Sequence, residues 1–347
     1  MLQPIHELLR AVDARLPGAL VSPEAKARIG QVAARLPAAF CQICLECRLE
    51  PGVDRVDLLI CSAQGEYGQD ALRASFASGA DVGPLGSSRA FVEEWVEPGT
   101  LLQREVPVMW LEYDLLPGGG EPDPFAFMCL DRSYMRGNAV GSSPGSQIAS
   151  SHIRGVAERG LGLLLGGPPE PAALDTLDRC IGSLPPAGYL SALSVMPQRG
   201  RRDLRVSVAV PHGEVIPWLR AINWPGNEEG VELALDILGS GCARPAVHFD
   251  VGESVRPTIA FDFYLRTRPS ETPSWARALD RLVEGGTCDR DRGQAALDWI
   301  GDETVDLPGA EWLVNIDRQL FFKLLPRLDG SIEAKAYLCI QHRYALF

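Results

Sequence analysis

Five times along the 347 residues, a run of alternating polar and apolar residues is followed, after a short turn, by a second such run. The first pair is AFCQICLECRLE (39–50) and DRVDLLICSA (54–63), turned by Pro-Gly-Val. The second is VPVMWLEYD (106–114) and PFAFMCLDR (124–132), across a Gly/Pro-rich loop. GYLSALSVMP (188–197) and DLRVSVAVP (203–211) form the third around a basic polar turn, QRGRR. PAVHFDV (245–251) and RPTIAFDFYLR (256–266) form the fourth. In the fifth, EWLVNID (311–317) runs on into QLFFKLL (319–325) and turns into EAKAYLCIQHR (333–343). Period-two alternation is the signature of a strand with two unlike faces. Short turns make each pair an antiparallel hairpin, which disfavours a doubly wound sheet or a parallel α/β barrel.

Helical spacing fills the gaps, with apolar residues at three- and four-residue steps. IHELLRAVDARL and PEAKARIGQVAARL precede the first pair, and SRAFVEEWV follows it. SQIASSHIRGVAERGLGLLL and PAALDTLDRCIGSL follow the second pair, VIPWLRAI and EEGVELALDIL the third. SWARALDRLVEGG and RGQAALDWIG follow the fourth. Repetition of one supersecondary unit points to an array that closes or stacks, read as a single domain over 1–347.

Each strand sorts into two faces. Cys41, Ile43, Leu45, Cys47 and Leu49 oppose Gln42, Cys44, Glu46 and Arg48. Val56, Leu58 and Ile60 oppose Arg55, Asp57, Leu59 and Cys61; Val206 and Val208 oppose Arg205 and Ser207. Val247 and Phe249 oppose His248 and Asp250, and Phe261 and Phe263 oppose Asp262 and Tyr264. The third strand is less clear, placing Trp110 and Glu112 against Met109, Leu111 and Tyr113. In the last strand Ala334, Ala336, Leu338 and Ile340 oppose Lys335, Tyr337, Cys339, Gln341 and Arg343. Amphipathic helices cover the apolar faces. An open antiparallel sheet of ten strands twists and curls, whereas closure removes its edges. The expected fold is therefore α+β: a ten-stranded antiparallel β-barrel with a polar lumen, surrounded by helices. An open sheet serving as an interaction scaffold is the rival architecture.

Composition narrows the function. A net charge of −12 argues against a nucleic-acid surface, which needs a basic patch. No apolar run reaches the roughly 18 to 20 residues of a membrane span. The N-terminus lacks the basic start and apolar block of a signal peptide. Nine cysteines, mostly within apolar strands, read as reduced and buried, so a cytoplasmic location is expected. Cys41, Cys44 and Cys47 form C-x-x-C-x-x-C, but steps of three on a strand put Cys44 on the face opposite the other two. His248 and His342 read as isolated and structural, and Asp250 and Asp262 either as structural partners for His248 or Arg205 or as catalytic carboxylates. There is no P-loop, no G-x-S-x-G elbow and no H-E-x-x-H. Lysine is scarce: Lys26, Lys323 and Lys335 are all there are.

Five repeats of helix, strand, strand, helix, together with Lys335-Ala-Tyr337, resemble the ABBA-fold, or PT-barrel, prenyltransferases: the aromatic/indole enzymes and the cyanobactin-type peptide enzymes. Lys335 and Tyr337 look like the Lys-x-Tyr pairs that hold diphosphate in those barrels; Glu46 with Arg48, then Arg55, is similar to the first-hairpin acid and base. The sequence departs from the family in having few such cations, sparse tyrosines and extra acids at Glu112, Asp250 and Asp262. The resemblance implies transfer of a dimethylallyl or geranyl group from its diphosphate to an aromatic small molecule or peptide side chain. It assigns diphosphate binding to Arg48, Arg55, Arg205, Lys323, Lys335 and Tyr337. Glu46, then Glu112, are the expected bases. Tyr264, Trp110 and Gln341 are the expected pocket and cation-shielding residues. Mg2+ is the candidate cofactor, because the diphosphate would otherwise rest on few cations beside many acids. The alternative is a PT barrel that binds a peptide or small polar ligand without transfer, and the two are separated by whether the cations converge or are paired off by acids.

Overall fold

The computed structural model describes residues 2–116, 118–131, 150–239, 242–265 and 273–344. Among them run eleven strands: β1 (Gln42–Arg48), β2 (Val56–Ala63), β3 (Val108–Tyr113), β4 (Phe125–Cys129), β5 (Tyr189–Val195) and β6 (Leu204–Ala209). Then follow β7 (Ala246–Val251), β8 (Val255–Leu265), β9 (Gly301–Val305), β10 (Val314–Pro326) and β11 (Ile332–Tyr344). Each pairs antiparallel with its neighbours in the order β11-β1-β2-β3-β4-β5-β6-β7-β8-β10, and β10 pairs β11 to close the ring. The barrel therefore has ten strands, as expected.

In the fifth pair the run from 311–317 into 319–325 is, as expected, one continuous strand, β10, which pairs with β11 along its whole length. β9 was not anticipated: its sequence, Gly-Asp-Glu-Thr-Val, has no apolar alternation, and it is added to β10 alone, outside the ring.

Helices α1 (Ile5–Val12) and α2 (Pro23–Ala33) precede β1; α3 (Gln69–Ser78), α4 (Arg89–Val96) and α5 (Leu101–Glu105) follow β2. α6 (Ser150–Leu165) and α7 (Pro171–Gly182) follow β4, and α8 (Val215–Ala221) and α9 (Glu228–Leu238) follow β6. α10 (Pro273–Glu284) and α11 (Arg290–Asp298) follow β8. Side-chain caps start several of them: Ser22 accepts from Ala25 N–H, Thr100 from Gln103, Asn227 from Glu229 and Asp289 from Asp291. No helix among the described residues is long and apolar enough to cross a membrane.

The main core lies between this jacket and the outer barrel face. Leu45, Leu58, Leu111, Val206, Phe261 and Leu338 pack in one cluster with helical Leu8, Phe91, Trp95, Val156, Leu177 and Trp218. Each such side chain contributes about 1.5–3 kcal/mol by leaving water. Trp95 also donates its indole N–H to the Val106 carbonyl at 2.8 Å, which ties α4 to the entry of β3. Packing resolves the ambiguous third strand: Met109, Leu111 and Tyr113 join the outer core, so Trp110 and Glu112 point inward.

His342, near the end of β11, accepts the Gln3 backbone N–H on Nε2 at 3.1 Å. Burial pushes its imidazole down to about 4. The unfolded chain takes up that proton below about pH 6.5, so stability is complete above that pH and falls as the pH drops toward 4. The ring is half-buried, and with solvent screening the loss is about 2 to 3 kcal/mol. Urea unfolding at pH 7 and pH 4.5 should show it, and His342→Gln should flatten the difference.

Candidate functional site in the barrel lumen

Because every strand is antiparallel to both neighbours, all five hairpin turns fall at one mouth of the barrel. The charged residues gather at that end. Lys323, Lys335 and Arg48 stand directly opposite one another on β10, β11 and β1. Glu46 sits among them, 2% exposed: Lys335 Nζ lies at 2.9 Å, Arg48 at 2.8 Å, and the Tyr337 hydroxyl donates to it. Burial opposes its ionisation, but Lys335, Arg48, Lys323 and the Tyr337 hydrogen bond hold its carboxyl well below the usual range.

From there the ion pairs run on around the mouth. Arg48 also reaches Asp57 at 2.9 Å, and Arg55 joins Asp57 (3.0 Å) to Asp114 (2.8 Å). Arg199, from the β5–β6 turn, crosses to Asp114 at 2.6 Å and Glu112 at 2.9 Å with its guanidinium 4.5 Å from the Phe125 ring centre. Burial first, and then the charge of Glu46, push the Asp57 and Glu112 carboxyls up. Arg199 belongs to the turn that sequence reasoning registered only as basic and polar.

Deeper inside is a cavity that opens partly to solvent. Leu59, Trp110, Phe127, Phe321 and Tyr337 give it apolar walls, with Phe321 and Tyr337 stacked at 4.2 Å. Its ionisable wall residues are Glu112, Cys129, Asp131, His248, Asp262, Lys323 and Tyr337. His248, for which Asp262 is one of the two expected partners, lines this space with Nε2 2.7 Å from Asp262 Oδ2. Lys323 Nζ is 3.3 Å from the other Asp262 oxygen and 5.3 Å from the centre of the Tyr337 ring. Register shifts at Leu190/Ala192 and Phe249/Val251 mark irregularities in β5 and β7. Such bulges re-aim side chains. Ser191 is at the first, where it lines the cavity and bonds Ser207 across 2.8 Å; Asp250 is at the second and meets Arg205 at 2.9 Å.

The expected site residues thus divide into groups. Arg48, Lys323, Lys335, Tyr337 and Glu46 come together. Arg55 is 30% exposed and lies in the rim network, while Arg205, on β6, is paired with Asp250 away from that cluster. Trp110 and Glu112 line the cavity; Glu46 is not among its wall residues. Gln341 is also outside the wall and accepts from Gln319 at 3.1 Å. Tyr264 pairs with Phe321 through the backbone, and its side chain lies outside the described residues. Acids accompany each cation of the cluster.

The cysteines correct another expectation. Cys44 and Cys339, opposite each other on β1 and β11, form a disulfide, and the other seven are free. Both sulfurs sit in the lumen with Tyr337, against Leu59, Trp110 and Phe321. Cys41 precedes β1 and escapes its alternation, packing instead with lumenal Cys61, 3.9 Å between sulfurs. Among the described residues no group of three or more His, Cys, Asp or Glu side chains is arranged to hold a metal.

No family model matches the sequence, and no curated protein does. Among solved structures, the chain is similar to prenyltransferase PriB, crystallised as a ternary complex with L-tryptophan and dimethylallyl thiolodiphosphate. Identity is 12%, over 97% of this chain and 94% of that one, with a TM-score of 0.48. It is similar too to the 6-dimethylallyltryptophan synthase of Micromonospora olivasterospora in complex with DMASPP and Trp, at 12% identity over 97% and 95%, TM-score 0.46. By its own strand order, its closure and its jacket of helices, the chain has the ABBA, or PT-barrel, fold.

Proposed function

We propose that the barrel transfers a dimethylallyl or geranyl group from its diphosphate to an aromatic or peptide side-chain nucleophile. The observation that carries this is the row Lys323–Lys335–Arg48, in register on three adjacent strands beside an aromatic-walled cavity. As the allylic C–O bond breaks, negative charge grows on the diphosphate. Fixed cations in a low-dielectric site stabilise that charge better than water does. The faces of Trp110, Phe127, Phe321 and Tyr337 shield the allylic cation from water and attract it. Glu46 and Asp262 hold the cations in place until the donor arrives.

A second reading has its own observation. Lys335 and Arg48 share Glu46, Arg48 also has Asp57, and Lys323 has Asp262. A diphosphate must compete with all three carboxylates, which favours a lumen that binds a peptide or small polar ligand without transfer.

The test is incubation with dimethylallyl or geranyl diphosphate, with and without Mg2+, and a panel of indoles, phenols and short peptides, followed by mass spectrometry. Transfer gives a product heavier by one prenyl unit, and Lys335→Ala lowers the rate ~100-fold or more. Undiminished turnover in that variant removes Lys335 from the mechanism. No product, together with no rise in melting temperature on adding either diphosphate, leaves the second reading standing.

A further inference from the structure

We propose that His248, oriented by Asp262, is the group that takes the acceptor's proton in the lumen. This rests on the transfer reading, but its geometry can be tested separately. Transfer breaks the donor's C–O bond, with the electron pair leaving on the diphosphate. It forms a bond from the acceptor to the allylic carbon, and the acceptor then releases one proton. That proton needs a basic atom that reaches the cavity and is not already engaged.

The carboxylates qualify poorly. Glu46 is outside the cavity wall and bound by Lys335, Arg48 and Tyr337. Glu112 reaches the wall but is tied to Arg199 at 2.9 Å, and Asp131, also on the wall, is already engaged. Asp262 is hydrogen-bonded to His248 through Oδ2 and ion-paired with Lys323 at 3.3 Å through Oδ1, and these two partners overcome burial to hold it below the usual carboxylate range, which makes it a poor base. The Tyr337 hydroxyl is committed as a donor to Glu46.

His248 is different. Its side chain is 13% exposed, on the cavity wall, and its ring makes one hydrogen bond among the described residues, through Nε2. Ionised Asp262 can only accept, so Nε2 carries the hydrogen and Nδ1 keeps its lone pair. The groups around the ring are Asp262 on β8, Lys323 on β10, Arg205 and Ser207 on β6, and Asp250 on its own strand; Glu112, Asp131 and Tyr337 share the cavity. Burial, assisted by Lys323 and Arg205 and resisted by Asp262, lowers the imidazole from its ordinary value, so it is neutral at pH 7. On taking the proton it becomes an imidazolium against the Asp262 carboxylate, an ion pair formed as the leaving group gains charge.

Two measurements test this. In the transfer assay, His248→Gln should cut kcat ~100-fold or more while leaving donor affinity unchanged, and should erase the acid limb of the pH profile. Wild-type kcat and an unaltered profile in that variant overturn the proposal. Absence of turnover in the wild type is a failure of the transfer reading instead. Nitrogen-15 NMR of the histidine rings then decides on its own, with the His248 signal assigned by its loss in His248→Gln. An Nε2–H tautomer that gains a proton at Nδ1 below pH 6.5 upholds the geometry. An Nδ1–H tautomer, or a ring that stays unprotonated until the protein unfolds, overturns it.

Discussion

Reduction of the Cys44–Cys339 bridge should lower the free energy of unfolding by about 5 kcal/mol, comparable to the whole net stability of many domains. The size follows from where the bridge lies. Its two cysteines are 295 residues apart, on the first and last strands of the ring, which meet only when the barrel closes. In the unfolded chain the bond ties almost the entire sequence into a loop, and loop-closure entropy grows with the logarithm of loop length. Both residues are fully buried, so reductant reaches them only through opening of the barrel and reduction should be slow. Urea titrations with and without reductant check the effect, with alkylation and mass spectrometry counting the thiols released. A Cys44→Ser, Cys339→Ser double variant should unfold at the reduced midpoint and ignore reductant. An unmoved midpoint in protein whose two thiols have been freed would refute the account.

The bridge also shows what the sequence leaves hidden. Strand faces were legible because alternation is local: Glu46 and Arg48 are assigned opposite Leu45 and Cys47 from seven residues alone. Closure was legible because ten strands with one apolar face have few other ways to remove their edges. Pairings across the ring were not. That Cys44 meets Cys339, or that Asp262 lies beside both His248 and Lys323, depends on register between strands far apart in sequence and on bulges that no local pattern announces. Trp110 and Glu112 were uncertain because Met109, Leu111 and Tyr113 are equally bulky, and only packing against the helices separates the two sets. β9 escaped notice because a polar strand added at the outside carries no alternation. Inward cations and the Asp250–Arg205 and Asp262–His248 pairs could be read from the chain; that Glu46 holds Lys335 and Asp262 holds Lys323 could not.

That pairing gives the other large effect a particular sign. Glu46→Gln should cost about 3–5 kcal/mol of stability, because it leaves Arg48 and Lys335 in a buried site without the carboxylate that both contact. Adding Lys335→Met should recover much of the loss, since a buried charge and its partner can often be exchanged for apolar groups at little cost. The same substitution should strengthen diphosphate binding. Glu46 competes with a diphosphate for the same two cations, and removing one negative charge at contact distance in a protein interior is worth a few kcal/mol. Inorganic diphosphate titrated calorimetrically should therefore bind Glu46→Gln at least ~10-fold more tightly than the wild type, while the melting temperature of the free protein falls. A variant that is destabilised yet binds diphosphate no better would mean that Arg48 and Lys335 serve only to neutralise Glu46. The lumen would then be a binding chamber rather than a transferase site. Opposite shifts in stability and affinity are what a site shows when its cations are held ready for a second anion.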